Sequence, residues 1–93
     1  MTPLDRAVEE RDKTHVVLYW RPGCGFCVRL ARALDAMDID PELHNIWEEP
    51  DAAEFVRSVN RGNELVPTLV VGDAVLSNPS ADQVRAALHA AAA

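Results

Sequence analysis

Five successive apolar residues, Val16-Val17-Leu18-Tyr19-Trp20, run into Arg21-Pro22-Gly23 and then Cys24-Gly25-Phe26-Cys27. A continuous run rich in β-formers predicts a strand buried on both faces, as in the middle of a parallel sheet. From Cys27 the apolar period changes. Cys27, Leu30, Ala31, Leu34 and Met37 share one helical face, with Arg29, Arg32 and Asp35 off it. Both cysteines are therefore held at a strand-to-helix turn. Two thiols so spaced are a redox pair more often than a metal site. As a cross-link they would close a tiny loop and constrain the unfolded chain little.

The chain has 93 residues, which suits one domain spanning 1–93, and its 48% hydrophobic content is enough for a core. No apolar run reaches the roughly 18–20 residues needed to cross a membrane. Met1-Thr2-Pro3-Leu4-Asp5-Arg6 lacks a basic stretch followed by an apolar one, so no secretory signal is expected and the cytoplasm is. A net charge of −6 argues against nucleic acid or an anionic membrane as partner. The charge is unevenly spread. Lys13 to Leu34 holds four basic residues and no acid, whereas Asp35 to Glu54 holds eight acids and no Lys or Arg. The basic stretch around the cysteines has two readings, ordinary solvated faces or local charge that favours a thiolate.

The remaining elements follow from pattern. Pro3–Arg11 reads as a helix capped by Thr2. Residues 42–47 alternate as an exposed edge strand, and a helix from about Glu48 to Asn60 buries Ala52, Phe55, Val56 and Val59. Two short strands, 68–71 and 74–77, flank Gly72-Asp73, which suits a type II′ hairpin turn. A last helix opens with a Ser80/Gln83 capping box, turns Val84, Ala87 and Leu88 inward, and frays in its alanine tail. Trp20 and Trp47 are expected to be core or half-exposed packing rather than ligand platforms.

Three segments in this order resemble the glutaredoxin family of the thioredoxin fold: Cys24-Gly25-Phe26-Cys27, Val66-Pro67-Thr68 and Asn78-Pro79-Ser80-Ala81-Asp82. Their surroundings, such as Trp20-Arg21-Pro22-Gly23 and Asn45-Ile46-Trp47-Glu48-Glu49-Pro50, are most similar to the actinobacterial mycoredoxins. The resemblance implies an α/β thioredoxin-like domain with a four-stranded mixed sheet flanked by helices. It implies a thiol–disulfide oxidoreductase, monomeric, that acts on mixed disulfides between proteins and a small thiol. Mycoredoxins use mycothiol, a cysteine–sugar thiol, where glutaredoxins use glutathione, so mycothiol is the expected co-substrate and glutathione the alternative. No tightly bound cofactor is expected.

Cys24 is the expected nucleophile, set at a helix N-terminus with Arg21 three residues before it. Cys27, one turn inside, is the resolving candidate. The resemblance implies a cis Val66–Pro67 bond that presents Val66 to an extended ligand; from the residues alone Pro67 could simply start a strand. Asn78, Ser80 and Asp82 stand at the helix start that holds the charged end of glutathione in relatives. There Ser77-Asn78 replaces the usual glycine pair, which suits either sugar hydroxyls or a plain turn and cap. Glu64, where a basic residue is frequent, would repel a carboxylate. Phe26 is the expected apolar contact. A dithiol donor to a protein such as ribonucleotide reductase and an iron–sulfur or metal carrier are the other readings. His15, His44 and His89 lack ligand spacing to the cysteines, so no metal site is expected.

Overall fold

The computed structural model describes residues 15–92. The helix expected over Pro3–Arg11 lies outside them. The order is β1 (Val16–Trp20), α1 (Gly25–Ala36), β2 (Glu42–Asn45), α2 (Pro50–Val59), β3 (Thr68–Val71), β4 (Ala74–Ser77) and α3 (Ala81–Ala92). The sheet runs β2-β1-β3-β4. β1 is central and the sheet is mixed, as the resemblance implies: it pairs parallel with β2 and antiparallel with β3, where the apolar run alone suggested parallel neighbours. Apolar continuity reports burial between layers and is blind to the direction of the paired strand.

Strand alternation divides the core into two. Val16 and Leu18 of β1 join Leu69 and Val71 of β3 against Leu30 and Leu34 of α1 and Val84 of α3. On the opposite face, Tyr19, Phe55 and Val66 pack around Ile46, Ala52, Ala53 and Val56. Val59, expected inside, is exposed, and Ala53 takes the inward place in α2. The alanine tail stays helical to Ala92, because Ala87 and Ala91 lie against the first core.

Local chemistry sets the element ends. α1 closes in a Schellman motif, Ile39 N–H to Leu34 O at 2.9 Å and Asp38 N–H to Asp35 O at 3.0 Å, with Asp38 left-handed at φ 58°. β2 stops at Asn45, two residues before the expected end. Its side-chain oxygen accepts from Trp47 N–H at 2.9 Å, and its carbonyl accepts from both Glu48 and Glu49 N–H, which turns the chain. Trp47 is therefore on that turn and 62% exposed, where packing was expected. Gly72 takes φ 58°, which the hairpin turn requires of its first central residue. The Ser80/Gln83 capping box forms in both directions, at 3.1 and 2.8 Å.

A polar cluster ties β2 to α2. His44 Nε2 meets Glu42 at 2.6 Å, His44 Nδ1 meets Glu49 at 2.7 Å, and His15 meets Glu42 at 3.2 Å. Tyr19 stacks on His44 with centroids 5.6 Å apart. Hydrogen bonds to Glu42 and then Glu49 raise the His44 pKa above 6.5. Those from His44 and then His15 lower Glu42 below 4.5. Burial first, then the Glu42 and Glu49 charges, push the Tyr19 phenol upward, so it stays neutral. Both carboxylates are nearly half exposed and screened, so the cluster contributes about 0.2–1 kcal/mol per pair. The His44 contribution is complete below its unfolded pKa of 6.5 and is lost as pH rises through the raised folded value. The Glu42 contribution is present above 4.5 and is lost as pH falls through the depressed value. The thermal midpoint should fall between about pH 6 and about pH 8, and His44→Gln should flatten that slope. An equal slope in the variant would assign the titration elsewhere.

Candidate functional site

β1 delivers its C-terminal end to Gly23, whose φ of 79° is left-handed. A Cβ there would have room, so the backbone angle is what calls for glycine. The turn sets Cys24 as the N-cap of α1, with extended angles of −89° and 99°. Its sulfur accepts the Cys27 N–H at 3.1 Å, the bond that a Ser, Thr or Asp oxygen makes at most helix starts. Val28 N–H reaches the Cys24 carbonyl at 3.2 Å, the first backbone bond of the helix. No acid stands in the first turn of α1. The sulfur thus sits where the unpaired N–H groups and the positive dipole end converge, with no carboxylate in that turn to offset them.

Cys24 and Cys27 are joined in a disulfide, their Cα atoms 5.2 Å apart. Cys24 is 6% exposed and Cys27 3%. Cys27 adjoins an apolar cavity of about 190 Å³ lined by Leu18, Trp20, Val28, Ala31 and Leu43. Apolar surroundings disfavour a thiolate. The two sulfurs therefore occupy chemically different places, one facing hydrogen-bond donors and the other an apolar wall.

Val66–Pro67 is cis. It brings the Val66 carbonyl oxygen to 3.9 Å from Cys24 Sγ. Asn78 N–H donates to Pro67 O at 2.8 Å, which draws the third segment alongside. Asn78 holds φ 47°, a left-handed angle that Asn tolerates better than most residues. An open cleft of about 210 Å³ is lined by Phe26, Arg29, Leu30, Asn78, Pro79 and Ser80, among others. Of the residues singled out from sequence, Phe26, Asn78 and Ser80 line this cleft, Val66 stands beside Cys24, and Pro67 joins Val66 to Asn78.

Two others are engaged elsewhere. The Arg21 guanidinium donates to Pro22 O at 3.2 Å and lies over the Trp47 ring, 5.7 Å from its centroid. Asp82 pairs with Arg85 at 2.9 Å on the exposed face of α3, away from that cleft lining. Glu64 pairs with Arg57 at 2.7 Å, so a compensating cation stands beside the charge expected to repel a carboxylate. Arg29 is the residue that sequence reasoning missed. Its guanidinium caps the Phe26 ring at 4.7 Å and lines the cleft. The i,i+3 spacing of Phe26 and Arg29 at the start of a helix is the signal that could have found it.

Among the described residues, no group of three or more His, Cys, Asp or Glu is arranged to hold a metal ion, and no helix is long and apolar enough to cross a membrane. The glutaredoxin family model matches residues 16–76, from β1 into β4. A Mycobacterium tuberculosis protein named for that family is 46% identical over 74 residues, 78% of this chain and 88% of the relative. Mycoredoxin 1 of Corynebacterium glutamicum is 35% identical over 80 residues, 85% of this chain and 99% of the relative. Among solved structures, the glutaredoxin-like NrdH-redoxin of Escherichia coli matches with a TM-score of 0.68 and 28% identity, covering 77% of this chain and 92% of that one. Poplar glutaredoxin C1, at a TM-score of 0.64 and 20% identity over 95% and 96%, shares the fold. The matched region holds both the thiol that caps α1 and the cis-proline loop beside it, and the chain belongs to the glutaredoxin family of thiol–disulfide oxidoreductases.

Proposed function

We propose that this protein removes mycothiol from mixed disulfides with proteins, using Cys24 as the nucleophile. The observation that carries the nucleophile assignment is the Cys27 N–H donated to Cys24 Sγ at 3.1 Å. The same donor would stabilise a thiolate in the reduced protein more than a thiol, because the extra electron density is on the accepting atom. The Cys24 thiolate attacks the small-thiol sulfur of the mixed disulfide. The protein–small-thiol bond breaks, the client leaves as a thiolate, and Cys24 holds the small thiol. A second small thiol attacks that bond, frees Cys24 and departs as the symmetric disulfide. In the other route Cys24 forms a mixed disulfide with a protein disulfide's sulfur, Cys27 attacks Cys24 Sγ, the Cys24–client bond breaks, the client leaves as a thiolate, and the disulfide seen here closes. The apolar cavity beside Cys27 favours the first route, since it keeps that thiol protonated.

The choice of mycothiol draws on the Mycoredoxin 1 relative and on the cleft. The Asn78 side-chain amide makes no hydrogen bond among the described residues and lines the cleft, so it is available to sugar hydroxyls. Ser80 N–H and Oγ are both taken up by Gln83, which leaves its hydroxyl hydrogen as the donor. The capping box thus withdraws the Ser80 and Gln83 N–H groups from a charged ligand end. Arg29 adds a guanidinium over Phe26. The Glu64 argument carries less, because of Arg57. Arg21 and Asp82 would take part only at the edges of the ligand. The reading takes residues 1–93 as one domain, acting as a monomer in the cytoplasm.

A dithiol donor to a protein disulfide is the second reading, supported by the likeness to a glutaredoxin-like protein whose activity profile is described as thioredoxin-like.

Three experiments test this. In Cys27→Ser, iodoacetamide alkylation of Cys24 should follow a pH midpoint within about 3.5–7.5; a midpoint near the ordinary 8.5 would remove the helix-start argument. Cys24→Ser should abolish turnover while Cys27→Ser retains release of mycothiol; complete loss in Cys27→Ser would instead establish the dithiol route. The mycothiol mixed disulfide of a peptide should react with a kcat/KM about tenfold above its glutathione counterpart, the worth of one or two hydrogen bonds. Asn78→Gly suits the left-handed angle and should narrow that ratio; preference for glutathione in the parent protein overturns the substrate assignment.

A further inference from the structure

Two segments far apart in sequence meet at the proposed thiol site: Leu65–Pro67, whose Val66 carbonyl oxygen stands 3.9 Å from Cys24 Sγ, and Ser77–Ser80, from which Asn78, Pro79 and Ser80 line the cleft. The β3–β4 ladder pairs Thr68 with Ser77 and stops there. Beyond that pair the backbone offers Asn78 N–H to Pro67 O, and Pro67 has no N–H to return. Where the ladder gives out, side chains take over. Asn60, at the C-terminal end of α2, donates from Nδ2 to Val56 O at 2.8 Å and to Thr68 Oγ1 at 3.2 Å. Its Oδ1 accepts from Ser77 Oγ at 2.7 Å. The Thr68 hydroxyl, 0% exposed, donates to Leu65 O at 2.7 Å.

The directions in this network are mutually determined. Thr68 has one hydroxyl hydrogen, and Leu65 O takes it. Its oxygen must then accept from Asn60, which turns the amide nitrogen toward Thr68 and the amide oxygen toward Ser77. Both amide hydrogens are used. One side chain at a helix end thereby reaches the loop before Pro67 through Thr68, and the turn at Asn78 through Ser77.

We propose that Asn60 and Thr68 are positioning residues for the proposed thiol site: through them α2 sets the separation of the Val66–Pro67 loop beside Cys24 from the Ser77–Asn78 turn at the cleft. The proposal rests on the reading that these two segments hold the small thiol. Neither residue lines the cleft or touches Cys24 Sγ, so their removal should act on binding and spare the nucleophile.

Thr68→Val keeps the branched shape and deletes the hydroxyl; Thr68→Ser keeps the hydroxyl. With the mycothiol mixed disulfide of a peptide as probe, Thr68→Val and Asn60→Ala should each raise KM about tenfold. Their kcat and the alkylation rate of reduced Cys24 should stay at the parent values, and Thr68→Ser should restore KM. An unchanged KM in folded variants overturns the proposal. So does an alkylation rate that falls with affinity, or a Thr68→Ser variant as impaired as Thr68→Val. If circular dichroism shows Thr68→Val unfolded, Asn60→Ala decides by the same criteria. If the parent protein prefers the glutathione mixed disulfide, the mycothiol reading fails, and the same KM comparison on that substrate still decides the role of Asn60 and Thr68.

Discussion

A sulfur atom stands where α1 needs an oxygen. Helix starts leave N–H groups without backbone partners, and a short polar side chain at the N-cap ordinarily accepts one of them. Here Cys24 Sγ accepts the Cys27 N–H. One bond therefore serves the fold and the chemistry together. It begins the helix that carries Leu30 and Leu34 into the main core, and it points a donor at the atom that carries negative charge on the proposed reading. Replacing that sulfur with an apolar group would cost both. The arrangement also explains why the cysteines are unequal despite lying three residues apart. Position on the helix places Cys24 at its polar end and Cys27 on the apolar face, against Leu18 and Ala31.

Around that atom the site is assembled from ends. Cys24 is at the end of β1, Val66–Pro67 precedes β3, Asn78 follows β4, and Ser80 precedes α3. None of these positions is held by the middle of a strand ladder or helix, so each needs its own restraint. Gly23 supplies a left-handed turn, the Ser80/Gln83 pair fixes the start of α3, and Asn60 joins the two loops. The charged cluster of His15, Glu42, His44 and Glu49 does comparable work at the β2–α2 connection, where it flanks the turn that carries Trp47 beneath Arg21. Site geometry therefore rests on polar side chains, whereas the core gives the overall shape.

That division accounts for what could be read in the sequence. Elements with a sustained apolar period, β1 and α1, were legible almost to their ends, and the hairpin was legible from Gly72-Asp73. The capping box was legible because it is a local rule four residues long. Val59 and Trp47 were misplaced because a short amphipathic segment leaves the facing set open by one position, and an Asn side chain ended β2 early. The direction of the β1–β3 pairing was hidden, since burial pattern does not encode it. The cysteines and the Val66–Pro67 loop were legible through resemblance more than through physics. Arg29 escaped notice because an arginine on an outward helix face looks solvated until Phe26 is placed beneath it.

The same division bears on the choice of small thiol. A site built from loop ends can be retuned without disturbing the core, since its walls meet the ligand through a few side chains. In this chain the third segment has given up glycine for Ser77 and Asn78, and each has a different task. Ser77 donates to Asn60, while the Asn78 amide stays free of partners among the described residues. The first change stiffens the wall and the second furnishes it. A wall that offers an amide, a hydroxyl hydrogen and a guanidinium, with the Ser80 N–H already engaged by Gln83, is better matched to many neutral hydroxyls than to one charged terminus. On the proposed reading, selectivity thus comes from what the capping box withholds as much as from what Asn78 and Arg29 provide.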